Sequence, residues 1–389
     1  MRLVLSIFLF ASLFSSVASA DEIVFRGNYW RDRNTRVIQP EADLQKELPT
    51  GTMVGAHYLL DTITSASVAA GAVRDQPFTE LRNEVGFRLG QRIGPATLVG
   101  RYSYSSESDY WAHTAGLSLL VDLFHKNSTL GLSATYGHDD VGLRMDAKTF
   151  NPVGGLQTIH FILSWSQVLT TKLLLNVSYE LGESGFGSAS NGYQNNPYRT
   201  VSLGGTPSRE TTPFERFRQA FSAGFNWIVP TRAQLVPWIS FRPSYRFYFD
   251  DWGLRSHAAE LRMYFPVGVF EFRLTGRYYH QNSVSFWNDV DGTPSYSGSH
   301  GKSCSTCYFT KSSLGFYTSD PKLGIFSSEF LDFRVLIHLT GLRRFNSRLA
   351  HYLSASYIEL SYGHYFNDRY AHTAFGDADL AGLAFAFPL

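Results

Sequence analysis

The feature that most constrains this chain is an alternation of period two. Across 78–90, Leu81, Val85, Phe87 and Leu89 take one side, while Glu80, Arg82, Glu84 and Arg88 take the other. The stretch 269–281 repeats it, with Phe270, Phe272, Leu274 and Tyr278 against Glu271, Arg273, Arg277 and Gln281. So does 234–250, where Leu235, Ile239, Phe241, Tyr245 and Phe247 oppose Arg242, Ser244, Arg246 and Asp250. Residues two apart share a face on a strand and lie nearly opposite on a helix, so these segments are strands. Each has one apolar and one charged face. Strands of this kind put the apolar face toward lipid, and lipid offers no partner to an open sheet edge, so the sheet must close. The expected fold is all-β: a closed antiparallel transmembrane β-barrel of the outer-membrane type.

Composition agrees. Aromatic residues make up 15% of the chain, with 22 Tyr and 31 Phe, and charged residues only 17%, below the usual quarter. After the first twenty residues no apolar run approaches the ~18 residues of a membrane helix. A net charge of +1 and a pI near 7.8 argue against a nucleic-acid partner.

The first twenty residues read as a secretory leader. Met1-Arg2 is a short basic start, 3–17 is mainly apolar, and Ala18-Ser19-Ala20 fits the small-x-small cleavage pattern, leaving Asp21 first in the mature chain. No linker divides the remainder. The expected organisation is a leader over 1–20 and one barrel domain over 21–389, exported to a Gram-negative outer membrane. Membrane lipid, the barrel-assembly machinery and envelope proteins are the expected partners.

The alternation predicts sixteen strands, at 22–30, 35–48, 52–62, 77–90, 95–105, 111–122, 128–138, 156–168, 171–182, 214–228, 232–249, 253–265, 269–282, 325–340, 350–364 and 376–388. Without the first pair the count is fourteen. The connections sort by length. Short turns fall at 49–51, 91–94, 123–127, 169–170, 229–231 and 266–268, with 341–349 the longest of that side. The long connections 63–76, 139–155, 183–213 and 283–324 all fall on the other. Short periplasmic turns and long outer loops are the habit of outer-membrane barrels.

Several stretches carry a resemblance. They are Arg26-Gly27-Asn28-Tyr29-Trp30-Arg31-Asp32-Arg33-Asn34-Thr35-Arg36-Val37-Ile38-Gln39-Pro40-Glu41, then Tyr58-Leu59-Leu60-Asp61-Thr62-Ile63-Thr64-Ser65-Ala66-Ser67 and Phe78-Thr79-Glu80-Leu81-Arg82, and later Asp250-Asp251-Trp252 and Thr318-Ser319-Asp320-Pro321-Lys322-Leu323. Over the whole mature chain the sequence resembles the bacterial domain-of-unknown-function family numbered 3570. The resemblance implies an outer-membrane barrel with no assigned activity and no catalytic residues to carry over. It also implies a neighbourhood of flavin-transferase and thioredoxin-like proteins, and hence envelope redox work as an alternative role. One departure concerns assembly, which usually reads a final strand ending in an aromatic residue. Here Leu383, Phe385 and Phe387 keep the alternation, but the chain ends in Leu389.

The charged face is the main candidate site. Glu80, Arg82, Glu84, Arg88, Arg216, Arg218, Arg242, Arg246, Glu260, Arg262, Glu271, Arg273, Arg277, Asp332 and Arg334 are expected to line the lumen. Arg101, Glu41, Asp43, Asp61, Glu180 and Glu359 are expected beside them. One reading is a wall of cross-strand ion pairs that keeps a polar interior satisfied; the near-balance of signs favours it. The other is a selectivity surface for a solute. The arginines gathered on 214–228, 232–249 and 269–282 favour this second reading and point to anions.

Cys304 and Cys307, in the loop 283–324, stand two residues apart. Such a pair forms a local disulfide, serves redox exchange, or contributes to a metal site with His300. Covalent haem is excluded because Tyr308, not His, follows the second Cys. A calcium loop at Asn288-Asp289-Val290-Asp291-Gly292 fails, since Trp287 and Gly298 occupy ligand positions. No metal or cofactor is expected. Nor is there a catalytic set. His57 and Asp61, four residues apart on one strand face, stand roughly 13 Å apart, and no nucleophile elbow or phosphate loop occurs. The expected function is a narrow solute channel or envelope scaffold. The alternatives are a redox-linked component using Cys304 and Cys307 or a partner electron carrier, and a membrane-embedded hydrolase.

Overall fold

The computed structural model describes residues 21–33, 35–65, 78–144, 150–187, 200–203, 206–209, 212–287, 316, 318, 320–345, 347–367 and 376–389. The expected leader over 1–20 and the pair Cys304 and Cys307 lie outside the described residues.

Among the described residues eighteen strands follow one another: β1 (Glu22–Arg31), β2 (Thr35–Glu47), β3 (Thr52–Ser65), β4 (Phe78–Ile93), β5 (Ala96–Ser106), β6 (Tyr110–Leu123), β7 (Ser128–Arg144), β8 (Phe150–Thr170), β9 (Leu173–Gly187), β10 (Thr200–Leu203), β11 (Thr206–Arg209), β12 (Glu215–Pro230), β13 (Trp238–Asp250), β14 (Arg255–Val267), β15 (Phe270–Gln281), β16 (Phe326–His338), β17 (Tyr357–Phe366) and β18 (Ala378–Pro388). Sixteen of them form one closed antiparallel barrel, in which β9 pairs with β12 and β1 with β18. The other two, β10 and β11, make a separate hairpin in the β9–β12 connection. With strands ~4.8 Å apart and tilted roughly 40°, sixteen strands close on a circle ~30 Å across.

The apolar series of each strand is the outer one. Phe87 is 58% exposed, Leu89 60%, Leu163 58% and Leu331 58%, whereas Ala220, Ala384 and Ala386 on the charged series are at most 2% exposed. Small side chains are crowded only on the concave side of a closed sheet, so the charged series lines the lumen.

Both termini and the short turns share one end, the near end. Gly268 shows why such turns can be tight: at φ +63° it adopts the left-handed backbone that joins β14 to β15 with two residues. The seam closes here as well. Leu389 donates its N–H to the carbonyl of Asp21 at 2.8 Å, and the Asp21 carboxylate accepts from Lys46 Nζ at 2.6 Å and from the Glu47 N–H at 2.7 Å. These bonds hold the Asp21 carboxyl below the usual carboxylate range.

Three expectations are corrected. The outer connection expected at 139–155 is strand over 139–144 and 150–155: β7 runs to Arg144 and β8 starts at Phe150. Its Gly and Pro residues read as loop, but the register shift between Val141 and Gly142 absorbs them as a bulge. The strand expected at 232–249 starts only at Trp238, because Pro230 and Pro237 bracket a loop closed by Thr231 N–H to the Pro237 carbonyl at 2.9 Å. The strand expected from 350 starts at Tyr357. Before it the chain forms a 3-10 turn, Leu339–Arg344, and a short helix α1, Arg348–Leu353, and Tyr352 donates its hydroxyl to the Pro388 carbonyl of β18.

Candidate functional site: the charged lumen wall

Register decides which charges meet. On the first strands Arg26 pairs with Glu41, the His57 imidazole lies 2.7 Å from Asp43, and Arg82 lies 2.7 Å from the buried Asp61. His57 therefore has a carboxylate partner on the neighbouring strand β2, not Asp61 along its own strand. Glu80 accepts from the backbone N–H and the hydroxyl of Ser108, both at 2.8 Å. Glu84 stands 4.0 Å from Arg82.

On the opposite side of the barrel Arg262 binds Glu260 at 2.6 Å and Arg273 binds Glu271 at 2.7 Å. Arg334 reaches Asp332 at 2.8 Å and Glu359 at 3.4 Å, and Glu359 also lies 3.7 Å from Arg273. Arg246 reaches past β12 to Glu180 on β9 at 2.8 Å. Arg216 donates from Nε to Asp250 at 2.9 Å, with its guanidinium 4.6 Å from the centre of the Trp252 ring. Between the two charged sides, β6 to β9 present mainly small hydroxyl and amide residues, with Asp122 and Glu180 among them. Ser133 donates to Ser118 at 2.8 Å and Ser166 to Asn176 at 2.8 Å.

The pairing is incomplete, mainly on the cationic side, although among the described residues Glu22 on β1 and Asp122 on β6 also face inward with no cation within 4.0 Å. Among the described residues Arg88, Arg101, Arg218, Arg242 and Arg277 face the lumen with no carboxylate within 4.0 Å. Arg218 donates only to the Ser184 hydroxyl, at 2.5 Å. Arg242 stands over the Tyr264 ring at 4.0 Å and Arg277 over Tyr279 at 5.7 Å, contacts that hold a guanidinium without cancelling its charge. The wall made by β12 to β15 thus carries Arg216, Arg218, Arg242, Arg246, Arg262, Arg273 and Arg277 against three carboxylates, Asp250, Glu260 and Glu271. Water reaches it: the side chains of Arg246 and Arg262 are 37% and 38% exposed.

The far end of this wall is covered by its own connection. Leu254, Val284, Phe286, Trp287 and Leu323 form a buried apolar cluster, with Tyr248, Trp252 and Phe316 against it. Gln281, 1% exposed, donates to the carbonyls of Lys322 and Gly324 at 3.0 and 2.6 Å, and Trp287 donates to the Asp320 carbonyl at 3.0 Å. The late motifs of the sequence, around Asp250 and Asp320, meet in this knot. Asp250 also accepts from the Leu254 N–H at 2.9 Å, and Asp251 from the Phe217 N–H at 3.0 Å.

Sequence reasoning missed the aromatic partners Tyr248, Tyr264 and Tyr279. Their signal was present, since each stands two residues from an inward arginine and so shares its face. Among the described residues no group of three His, Cys, Asp or Glu side chains could hold a metal ion.

A closed sixteen-stranded sheet with an apolar outer face and a charged, watered inner face defines a transmembrane β-barrel. The particular family follows from the sequence. The model of the family described as a protein of unknown function (DUF3570) matches residues 61–365, and this chain belongs to that family. No curated protein matches it in sequence. Among solved structures it is similar to a bacterial polysaccharide outer membrane secretin, at 8% identity and a TM-score of 0.52, over 96% of this chain and 100% of that one. It is also similar to CdiB from Acinetobacter baumannii, at 9% identity and a TM-score of 0.50, over 95% of this chain and 60% of CdiB. At such identities the likeness is one of fold.

Proposed function

We propose that this protein is an outer-membrane channel whose lumen favours small anions. The chain is read as a leader over 1–20 and a single barrel over 21–389, exported and inserted by the barrel-assembly machinery, with the short turns in the periplasm. The observation that carries the reading is the β12–β15 wall, where seven arginines stand against three carboxylates of the same strands, with Glu180 on β9 and Glu359 on β17 reaching in from beyond it, and solvent reaches the guanidiniums. Arg88 and Arg101, inward arginines on β4 and β5 without a carboxylate, add to it. Among the described residues the inward groups without an ion-pair partner are five arginines against two carboxylates, Glu22 and Asp122, so the excess is cationic. A stripe of fixed positive charge along a water-filled passage raises the local concentration of anions and repels cations.

The test is electrical. Purified barrel in a planar bilayer under a potassium chloride gradient should give discrete conductance steps and a reversal potential of the sign set by chloride. Neutralising Arg242, Arg262 and Arg277 to Gln together should move that potential toward zero. A cation-selective potential, or a correctly folded barrel that never conducts, overturns the proposal.

A further inference from the structure

Arg88 and Arg101 are direct partners in the β4–β5 ladder, and both face the lumen. Like charges placed opposite each other on one sheet face repel and destabilise the pairing. Where Arg273 and Arg334 are direct partners the clash is cancelled, since they share Glu359 and hold Glu271 and Asp332; where Arg242 and Arg262 are partners, Glu260 holds one of the two. Nothing cancels Arg88 and Arg101. The next inward carboxylate on β4, Glu84, lies four residues along the strand, roughly 13 Å by strand rise, and it already stands near Arg82.

The pair is nevertheless built. The stem of Arg101 crosses Gly116 on β6 so closely that a β-carbon there would sit 3.0 Å from Arg101 Cγ. Its Nη2 donates to the Ser118 hydroxyl at 3.0 Å, and Ser118 in turn accepts from Ser133 at 2.8 Å. Its Nε is buried and has no hydrogen-bond partner. An unmet buried donor costs about 1–3 kcal/mol, and here it adds to the repulsion between two cations. Arg88 is exposed and makes no hydrogen bond or ion pair. One arginine is thus held still and the other is free to close.

We infer that Arg88 and Arg101 form a binding site for an oxyanion, a phosphate, sulfate or carboxylate group on a solute in the lumen. Two guanidiniums offer paired N–H donors that match the oxygens of such a group, which chloride cannot reproduce. The site deepens the anion-channel reading, but it is defined by binding and does not need the barrel to conduct.

The experiment uses the full barrel in detergent. Titration calorimetry with inorganic phosphate, sulfate and succinate reads binding, and the three arms separate the oxyanion classes. The wild type should bind at least one of them, and Arg88→Gln/Arg101→Gln should weaken that binding tenfold or more, from the loss of charge-assisted hydrogen bonds. Arg88→Lys, which keeps charge but not the fork, should fall between. Arg232→Gln, in an exposed near-end loop, should leave binding unchanged and controls for loss of one cation. Heat-modified migration on gels checks that each variant is folded. Equal binding by the wild type and the double glutamine variant, or no binding of any of the three by the wild type, overturns the site. Neither result touches the conductance test, and an absent conductance leaves this one standing.

Discussion

Asp61 is 1% exposed and lies 2.7 Å from Arg82, itself only 13% exposed at its side chain. A charge so placed depends on its partner, because removing one member of a buried pair strands the other. Asp61→Asn should lower barrel stability by about 3 kcal/mol, the low end of the usual range, since Glu84 remains 4.0 Å from Arg82. Urea unfolding in micelles, followed by tryptophan fluorescence, measures it. The double variant Asp61→Asn/Arg82→Gln should recover part of the loss. A single variant as stable as the wild type would show the pair to be solvated after all. The face on which Asp61 stands was legible from alternation, because a strand's side chains alternate whatever surrounds them. Its partner was not. Arg82 is 21 positions away, and only the β3–β4 register, Asp61 opposite Arg82, brings them together.

At the scale of elements, the knot over the far end of β13 to β16 departs from the strand pattern. Gln281 and Trp287 tie it through carbonyls near Asp320, and Gly324 fits only because it has no side chain: a β-carbon there would lie 2.7 Å from the Trp287 ring. Trp287→Ala removes the central ring of the apolar cluster, a change that costs about 3–5 kcal/mol in a packed core. The expected outcome is local. In proteoliposomes, cuts within 282–325 should become several times faster, while the barrel keeps its heat-modified migration. An unchanged digestion rate would mean that the cluster does not hold the segment. No periodic pattern announces such a knot, since its residues serve neither face of a strand. The same reason explains why α1 was read as strand: six residues are too few for a helical period to stand out.

For the whole molecule the decisive joint is the seam. β1 and β18 pair over ten residues, and Leu389 finishes the ladder against Asp21. Phe25, Phe385 and Phe387 bring aromatic rings to the outer surface of this seam, with Phe25 and Phe387 in edge contact at 6.5 Å. Since recognition for assembly favours a terminal aromatic residue, Leu389→Phe should raise the share of chain that reaches the folded form in cells, read as the heat-modified band after membrane fractionation. A lower folded share would show that Leu389 is needed where it stands. The sequence alone determined that the chain closes into a barrel; it left sixteen strands against fourteen, and the closed ladder that includes β1 and β2 decides for sixteen. Alternation is local, and lipid tolerates no unpaired backbone, so pattern and solvent together leave one architecture. Only the tertiary structure decided which charges cancel. Arg246 meets Glu180 from 66 positions away, while Arg88 and Arg101 stand opposite each other in the β4–β5 ladder with no carboxylate among the described residues within 4.0 Å of either. That outcome depends on register between strands, a property no single strand's sequence contains.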